Sequence, residues 1–143
     1  MHNVLFNGCK LAGVNFSSCD TSLLFSINAH KSYFQYCNFS ALPMQKASFK
    51  ECVIHNSKFI DTVLQKSSFE ASDFAGTTFN NCDLRETHFE RAFNYCINPC
   101  ENKIKKATFS FPECIGILKA LDITILGCVN EILSEPNECS CEV

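Results

Sequence analysis

The stretch that decides the fold runs from Lys66 to Glu90 and reads KSSFEASDFAGTTFNNCDLRETHFE. A large apolar residue returns in it at every fifth position: Phe69, Phe74, Phe79, Leu84 and Phe89. On an α-helix, five residues advance about 140°, so these side chains would scatter around the axis. On a flat strand, every second one would face solvent. A chain that turns one corner per five residues buries them all, and four corners close a square coil.

The same period extends far beyond this stretch. It runs without a break from Leu24 to Phe89, and a second series of mostly small residues lies two positions before each member. Stacked coils bury both series in a narrow lumen, as in a solenoid whose repeats cover one another. The pattern predicts these structural lumen residues: Leu24, Phe34, Phe39, Phe49, Phe59, Leu64, Phe69, Phe74, Phe79, Leu84 and Phe89.

The first residues follow the same rule in another phase. Phe6, Leu11 and Phe16 are five apart, but eight residues separate Phe16 from Leu24. A corner bulge of three residues within residues 17–23 would place Phe16 above Phe39. A missing pair of residues would instead place Thr21 in that column. We favour the bulge, and we expect the β-helix to occupy residues 1–92.

The sequence resembles the pentapeptide-repeat proteins, whose consensus is A(D/N)LXX, most closely in ASDFAGTTFNNCDLRETHFE and CNFSA. The resemblance covers residues 4–92. It implies an all-β solenoid, a right-handed quadrilateral parallel β-helix, with a non-enzymatic role.

The five-residue apolar pattern ends after Phe89, because polar Asn94 occupies the next position of the series. An open β-helix end must be covered, so we expect residues 93–125 to form a cap and a dimerisation segment. Pro112 suits a first helical turn, and Ile115, Leu118 and Leu121 follow as an apolar stripe. Residues 123–125 would add a short strand or a dimer edge. Residues 126–143 form an acidic, Cys-containing tail, with a short helix expected at 129–134.

The C-terminal segment also resembles a subgroup that contains quinolone-resistance and microcin-immunity pentapeptide proteins, which act on DNA gyrase. The matching elements are Asn98-Pro99, Asn102, Phe109, Pro112-Glu113 and the helix around Leu118. The resemblance implies gyrase as a protein partner, quinolone or peptide-toxin protection, and a homodimer through this end. The dimer interface would comprise Ile115, Leu118, Leu121, Ile123 and Ile125.

Charge and composition narrow the class of protein. The net charge is −3, and residues 1–92 carry eight basic and eight acidic residues, so direct nucleic-acid binding is not expected. No apolar run is long enough to span a membrane, and the N-terminus lacks signal-peptide character. Eleven cysteines without a secretion signal favour free thiols and a cytoplasmic location, and the family resemblance implies a bacterial protein. Five of them fall on small inward positions as fillers: Cys9, Cys19, Cys37, Cys52 and Cys82.

Neither catalysis nor a cofactor is indicated. His30, His55 and His88 lie on outward positions of different coils, and no nucleotide-binding loop is present. Cys96 with Cys100, and Cys139 with Cys141, lack the spacing of a zinc site, and a disulfide in the tail is the preferred alternative. We therefore expect no enzyme activity, no catalytic residues, no metal and no cofactor.

Function must then reside in surfaces. Gyrase-protecting relatives are interpreted as acidic mimics of duplex DNA, but here Glu51, Glu70 and Glu90 share a face with Lys31, Lys50 and Arg91. That mixture weakens DNA mimicry. The alternatives are a generic protein-binding scaffold and a secreted bacterial effector with an unrelated protein partner. Their partner surface would use outward apolar residues on one of two faces, either Leu23, Phe25 and Val63 or Tyr33, Tyr36 and Val53.

Overall fold

The computed structural model describes residues 2–19, 25–124 and 126. Within them the chain forms ten short strands, one 3-10 turn at Phe16–Ser18 and one helix, α1 at Ile115–Lys119. The strands are β1 His2–Asn7, β2 Lys10–Ala12, β3 Phe25–His30, β4 Tyr33–Gln35, β5 Ser48–Lys50, β6 Val53–His55, β7 Lys58–Ile60, β8 Thr78–Asn80, β9 His88–Phe89 and β10 Thr108–Phe109.

Every strand pair is parallel and joins one coil to the next. Ala29 pairs with Phe49, and Phe59 with Phe79, so each partner lies four pentapeptides further along the chain. The result is a right-handed parallel β-solenoid of about five turns, the fold class that the period predicts. The coil carries four sides, each centred on one inward apolar residue.

The first coil is longer than the coils that follow it. β1 pairs with β3 so that Phe6 lies opposite Ala29, a step that exceeds the one from Ala29 to Phe49 by three positions. The ring of Phe16 stacks on Phe39 with centroids 4.8 Å apart and planes 7° apart, which is the column that the favoured bulge assigns to it. The extra residues begin at the 3-10 turn, where the Asn15 side chain accepts the Ser17 N–H. Thr21 lies outside the described residues.

The lumen is filled by columns of stacked rings. Phe39, Phe59 and Phe79 stack at 4.8 and 5.0 Å, and Phe69 stacks on Phe89 at 5.0 Å. Rings of adjacent columns meet edge to face, which is a favourable aromatic geometry. The structure buries all the predicted lumen residues that it describes. Leu24 lies outside the described residues.

Each corner is turned by one residue in the left-handed region. From Lys31 to Arg91, every fifth residue has a positive φ between 50° and 72°, always two positions after a central residue. All of these residues except Gly76 have a Cβ, so each of the other corners carries a backbone strain of about 1–2 kcal/mol. The signal in the sequence is faint, because glycine marks this position only at Gly8, Gly13 and Gly76. Sequence reasoning missed it.

The small inward residues do more than fill space. The backbone N–H of Cys52 donates to Ser72 Oγ at 3.1 Å, and that hydroxyl donates to the carbonyl of Phe49 at 2.7 Å. Ser67 makes the same pair of bonds to Ala47 and Met44. A hydroxyl at this position therefore ties its coil to the preceding one and satisfies two backbone groups of the lumen wall.

The solenoid continues beyond the boundary predicted at residue 92. Phe93 bridges Asp73, Lys103 bridges Asp83, and β10 pairs with β9, so that Phe109 stacks on Phe89 at 5.1 Å. The five-residue spacing is interrupted here. A regular coil would place residue 99 opposite Phe79, but Ile97 bridges Phe79 instead, so two residues are missing from this coil. Lys103 bridges Asp83 at the regular step again, so the deletion is compensated within the same coil.

In the last coil, an amide side chain makes the hydrogen bonds that inward hydroxyls make in other coils. Asn102 Oδ1 accepts the N–H of Cys82 at 2.9 Å, and its Nδ2 donates to the carbonyls of Phe79 and Asn98. The side chain is buried and stands where other coils have Ser or Thr. Asn102 therefore serves the solenoid, although the sequence had assigned it to the cap.

The cap is shorter than the sequence predicts. α1 begins at Ile115, and Pro112 lies in the preceding turn instead of its first turn. Ile115 is 5% exposed, Ala120 is also buried, and Ile117 packs against the lumen residues, so the helix covers the final coil. Tyr95 packs there against Phe89 and Phe109, and burial raises its pKa above the usual value. Residues 123 and 124 form no strand, and 125 and 127–143 lie outside the described residues.

The cysteines divide by position. Cys37, Cys52 and Cys82 are buried fillers, and burial raises the pKa of Cys52 and Cys82 to about 11. Cys9 is half-buried. Cys19 is exposed, so its assignment as a filler was wrong: it follows the 3-10 turn, where the chain has left the five-residue register.

Candidate interaction surfaces

One side of the solenoid presents exposed rings, and we call it the aromatic face. It carries Tyr33, Tyr36, Val53, Asp73 and Phe93. Tyr33, Val53, Asp73 and Phe93 follow one another in register on four successive coils. Tyr33 is 50%, Tyr36 65% and Phe93 41% exposed. With coils about 4.8 Å apart, the rings of Tyr33 and Phe93 mark the two ends of a strip about 14 Å long.

The middle of the aromatic face is a fixed carboxylate. Asp73 Oδ2 lies 2.7 Å from His55 Nε2, and Asp73 Oδ1 accepts from Asn94 Nδ2 at 2.9 Å and from the N–H of Ala75 at 3.1 Å. Its side chain is only 19% exposed. The corner residue beside Asp73 is Gly76, which has no side chain, whereas the corner residue of the same column beside Tyr33 is Tyr36. The strip is therefore flat and rigid at its centre, with projecting rings at its ends.

Residues of the two alternative partner surfaces lie on different sides of the coil. The structure places Tyr33, Tyr36 and Val53 together on the aromatic face, and it adds Phe93, which the sequence had left in the cap. Val63 lies on a different side, in register with Pro43 and Asp83, and is half-buried. Leu23 and the side chain of Phe25 lie outside the described residues. Lys10 adds a cation 5.6 Å from the centroid of Tyr33.

The predicted dimer residues separate into two groups. Ile115 is buried and offers almost no surface to a partner. Leu118 and Leu121 are each 40% exposed, and Ile123 is exposed beside them. Phe111 and Leu126 are also exposed apolar residues of this C-terminal segment. Ile125 lies outside the described residues.

Other site classes find little support in the part of the chain that the structure describes. No group of three or more His, Cys, Asp or Glu side chains is arranged there to hold a metal ion. Nor is any helix among those residues long and apolar enough to cross a membrane. His30 and His55 contact Glu51 and Asp73 instead, on different sides of the coil.

Comparison with known proteins agrees with the coil geometry. Residues 1–89 match the family model described as the pentapeptide repeat region. The chain belongs to the pentapeptide-repeat family. No curated protein matches the sequence.

Three of the solved structures that match this chain do so at low sequence identity. A trypsin-treated QnrB1, a plasmid-mediated fluoroquinolone resistance protein, is 13% identical with a TM-score of 0.60. The match covers 85% of this chain and 58% of that one. Rfr23 from the cyanobacterium Cyanothece is 16% identical with a TM-score of 0.37, covering 75% of this chain and 88% of that one. HetL from Nostoc, involved in heterocyst differentiation regulation, is 13% identical with a TM-score of 0.41, covering 76% and 47%.

Acidic residues of this pentapeptide-repeat chain are interrupted by basic ones. Glu51 lies 2.9 Å from His30, and this hydrogen bond lowers the pKa of the Glu51 carboxyl, with Lys31 adding to the effect. Glu70 is paired with Arg91. Within residues 2–19 and 25–124, therefore, no side of the coil is continuously acidic. The geometry favours contacts through rings over imitation of a polyanion.

Proposed function

We propose that this chain is a non-enzymatic protein-interaction module that binds its partner through the aromatic face. The observation that carries the proposal is the exposure of Tyr33, Tyr36 and Phe93 on one rigid strip. Tyrosine and phenylalanine are enriched at protein interfaces, because a ring buries a large area and loses little conformational entropy. Tyrosine also offers a hydroxyl that can reach polar groups at the rim.

The solenoid suits such a role because its surface is preorganised. The lumen is packed with stacked rings, and the backbone of each coil is bonded to the next. A partner that contacts Tyr33 and Phe93 together therefore orders little more than side chains. The entropic cost of binding is lower for a surface of this kind than for a loop.

Within this proposal, the partner is a type II DNA topoisomerase, DNA gyrase, which the chain protects from a quinolone or a peptide toxin. Support comes from the resemblance of the C-terminal segment to gyrase-interacting pentapeptide proteins and from the fold shared with QnrB1. The mixed charges favour recognition by shape and rings. This mode of contact differs from the acidic mimicry of DNA.

The test is a supercoiling assay with purified gyrase, with and without ciprofloxacin. We expect micromolar wild-type protein to restore supercoiling in the presence of the drug, or to inhibit the enzyme without it. The double variant Tyr33→Thr/Tyr36→Asn should lose the effect at least tenfold. Thr78 occupies the equivalent strand position on another side, and Asn56 occupies the equivalent left-handed corner, so both substitutions introduce residues that these positions already hold elsewhere.

Leu5→Ser is the matched control, since Leu5 is 72% exposed on another side of the first coil. It should behave as the wild type does. If the wild type neither inhibits gyrase nor protects it from the drug, gyrase is excluded as the partner. Equal activity of the double variant and the wild type would exclude the aromatic face as the binding surface.

A further inference from the structure

The side of the solenoid opposite the aromatic face collects positive charge, and we call it the basic face. The two sides are centred on residues two steps apart around the four-sided coil, such as Leu64 and Phe74. Outward residues of the basic face stack in register over four coils, since Pro43, Val63, Asp83 and Lys103 bridge one another in turn. Its charged residues are Lys46, Lys66, Asp83, Arg85, Glu86, Lys103, Lys105 and Lys106.

The excess of basic over acidic side chains on the basic face is large for a chain of this size. Six basic side chains stand against two acidic ones, which gives +4, while the chain as a whole carries −3. The face holds half of the twelve Lys and Arg residues of the sequence. Lys46 and Lys66 are exposed corner residues of successive coils, joined through backbone bonds to Gln65 and Arg85. Lysines on corners whose coils lie about 4.8 Å apart repel each other, and an anion between them relieves this repulsion.

We propose that the basic face is a second interaction surface, which binds an acidic segment of a protein partner. Its corner column runs Lys46, Lys66, Glu86 and Lys106, so cations span about 14 Å. Half-buried Pro43 and Val63 lie beside the lysines and supply apolar contact. Carboxylates of a partner would meet the lysines with complementary charge, which raises the rate of association and fixes the register.

An acidic protein fits this surface better than a nucleic acid does. Glu86 interrupts the lysine column between Lys66 and Lys106, and a regular phosphate backbone would meet that carboxylate. Arg85 is already committed, because its Nε and Nη2 donate to the two carboxylate oxygens of Asp83 at 2.8 and 2.7 Å. A protein partner can place a basic or neutral group opposite Glu86, whereas a polyphosphate cannot.

Two opposed surfaces would allow the chain to join two proteins. The aromatic face and the basic face differ in chemistry and do not share residues. A partner on one side therefore leaves the other side accessible. This inference goes beyond the proposed function and does not depend on the identity of the partner at the aromatic face.

The experiment measures binding of a fluorescein-labelled ten-residue peptide, EEEEGGEEEE, to the full chain by anisotropy at low salt, and the neutral centre of this peptide can lie opposite Glu86. A labelled ten-nucleotide oligothymidylate is the second probe. We expect the peptide to bind the wild type, to dissociate as salt rises, and to bind Lys46→Glu/Lys66→Glu at least tenfold more weakly. Glu51 and Glu86 already occupy left-handed corners, so glutamate is compatible with these positions.

Lys31→Glu/Lys50→Glu is the matched control, because it makes the same change of charge on successive coils of a neighbouring side. It should bind the peptide within twofold of the wild type. Absence of peptide binding, or an equal loss in the control, would overturn the proposal. Tighter binding of oligothymidylate than of the peptide would also overturn it and would assign the face to nucleic acid. Thermal melting within a few degrees of wild type establishes that each variant is folded.

Discussion

At the scale of single residues, the stacked rings set the stability of the lumen. Phe59 lies between Phe39 and Phe79, with ring planes within 8° of both, and it meets Phe49 and Phe69 edge to face. We expect Phe59→Ala to lower the free energy of unfolding by about 3–5 kcal/mol, because the closed stack cannot collapse around the space left. Urea denaturation measures the change.

The control for this prediction is the neighbouring outward residue. Lys58 is exposed on the same strand, so Lys58→Ala should change stability by no more than about 0.5 kcal/mol. If both substitutions had the same effect, the inward and outward assignment of the five-residue pattern would be refuted.

Ser72 tests the role of the inward hydroxyls. Ser72→Ala leaves the N–H of Cys52 and the carbonyl of Phe49 without their partner in a buried wall, and we expect a loss of about 1–3 kcal/mol. Ser72→Cys should cost less, because Cys82 at the equivalent position points its thiol at the carbonyl of Phe59, 2.9 Å away. Denaturant unfolding compares the two variants. A Ser72→Ala protein as stable as the wild type would reduce the hydroxyls to space fillers.

At the scale of the coil, the left-handed corner is the element with an unusual cost. Ala71 has a φ of 57°, and Ala71→Gly releases a strain of about 1–2 kcal/mol while losing about 0.5–1 kcal/mol of chain entropy. The net expectation is a gain in the free energy of unfolding of about 0.5 kcal/mol. Denaturant unfolding measures it.

Ala47→Gly provides the opposite sign for comparison. Ala47 is buried, lies outside the left-handed series and donates its N–H to Ser67 Oγ at 3.0 Å. Glycine there loses lumen packing and adds chain entropy, so stability should fall. Two changes of the same sign would contradict the assignment of strain to the corner.

The sequence predicted the repetitive part of the coil because the lumen admits few residue types. Phe69 to Phe89 can all be buried only by a turn every five residues, and the three extra residues after Phe16 follow from arithmetic. The corner was missed because side chains tolerate the left-handed region when pairing between coils holds the backbone, so Lys31 or Glu51 gives no local signal. The last coil was missed because Asn102 replaces a hydroxyl and Ile97 shifts the spacing. The sequence therefore offered no reason to place Phe93 on the aromatic face, because Phe93 belongs to that last coil.

At the scale of the whole molecule, chemistry is divided among sides instead of being gathered in a pocket. Rings lie on the aromatic face, cations lie on the basic face, and an apolar surface lies at the cap. A solenoid permits this separation because outward residues are free of the lumen's constraints. The position of a single charge or ring along the chain therefore says little about function. A surface is recognised only when its residues are seen stacked in register on successive coils.

The exposed apolar end of the cap leads to the last prediction, which concerns assembly. Leu118, Leu121 and Ile123 are exposed together, although Ile115 is not. We expect the protein to be a homodimer of about twice 16.1 kDa, with these residues in a two-fold interface. Leu118→Glu should yield the monomer, because the interface would bury an unpaired charge. Light scattering after size exclusion measures the mass. Leu5→Glu, the same change at an exposed leucine of the first coil, should leave the dimer intact. A monomeric wild type, or dissociation by Leu5→Glu alone, would refute an interface at the cap.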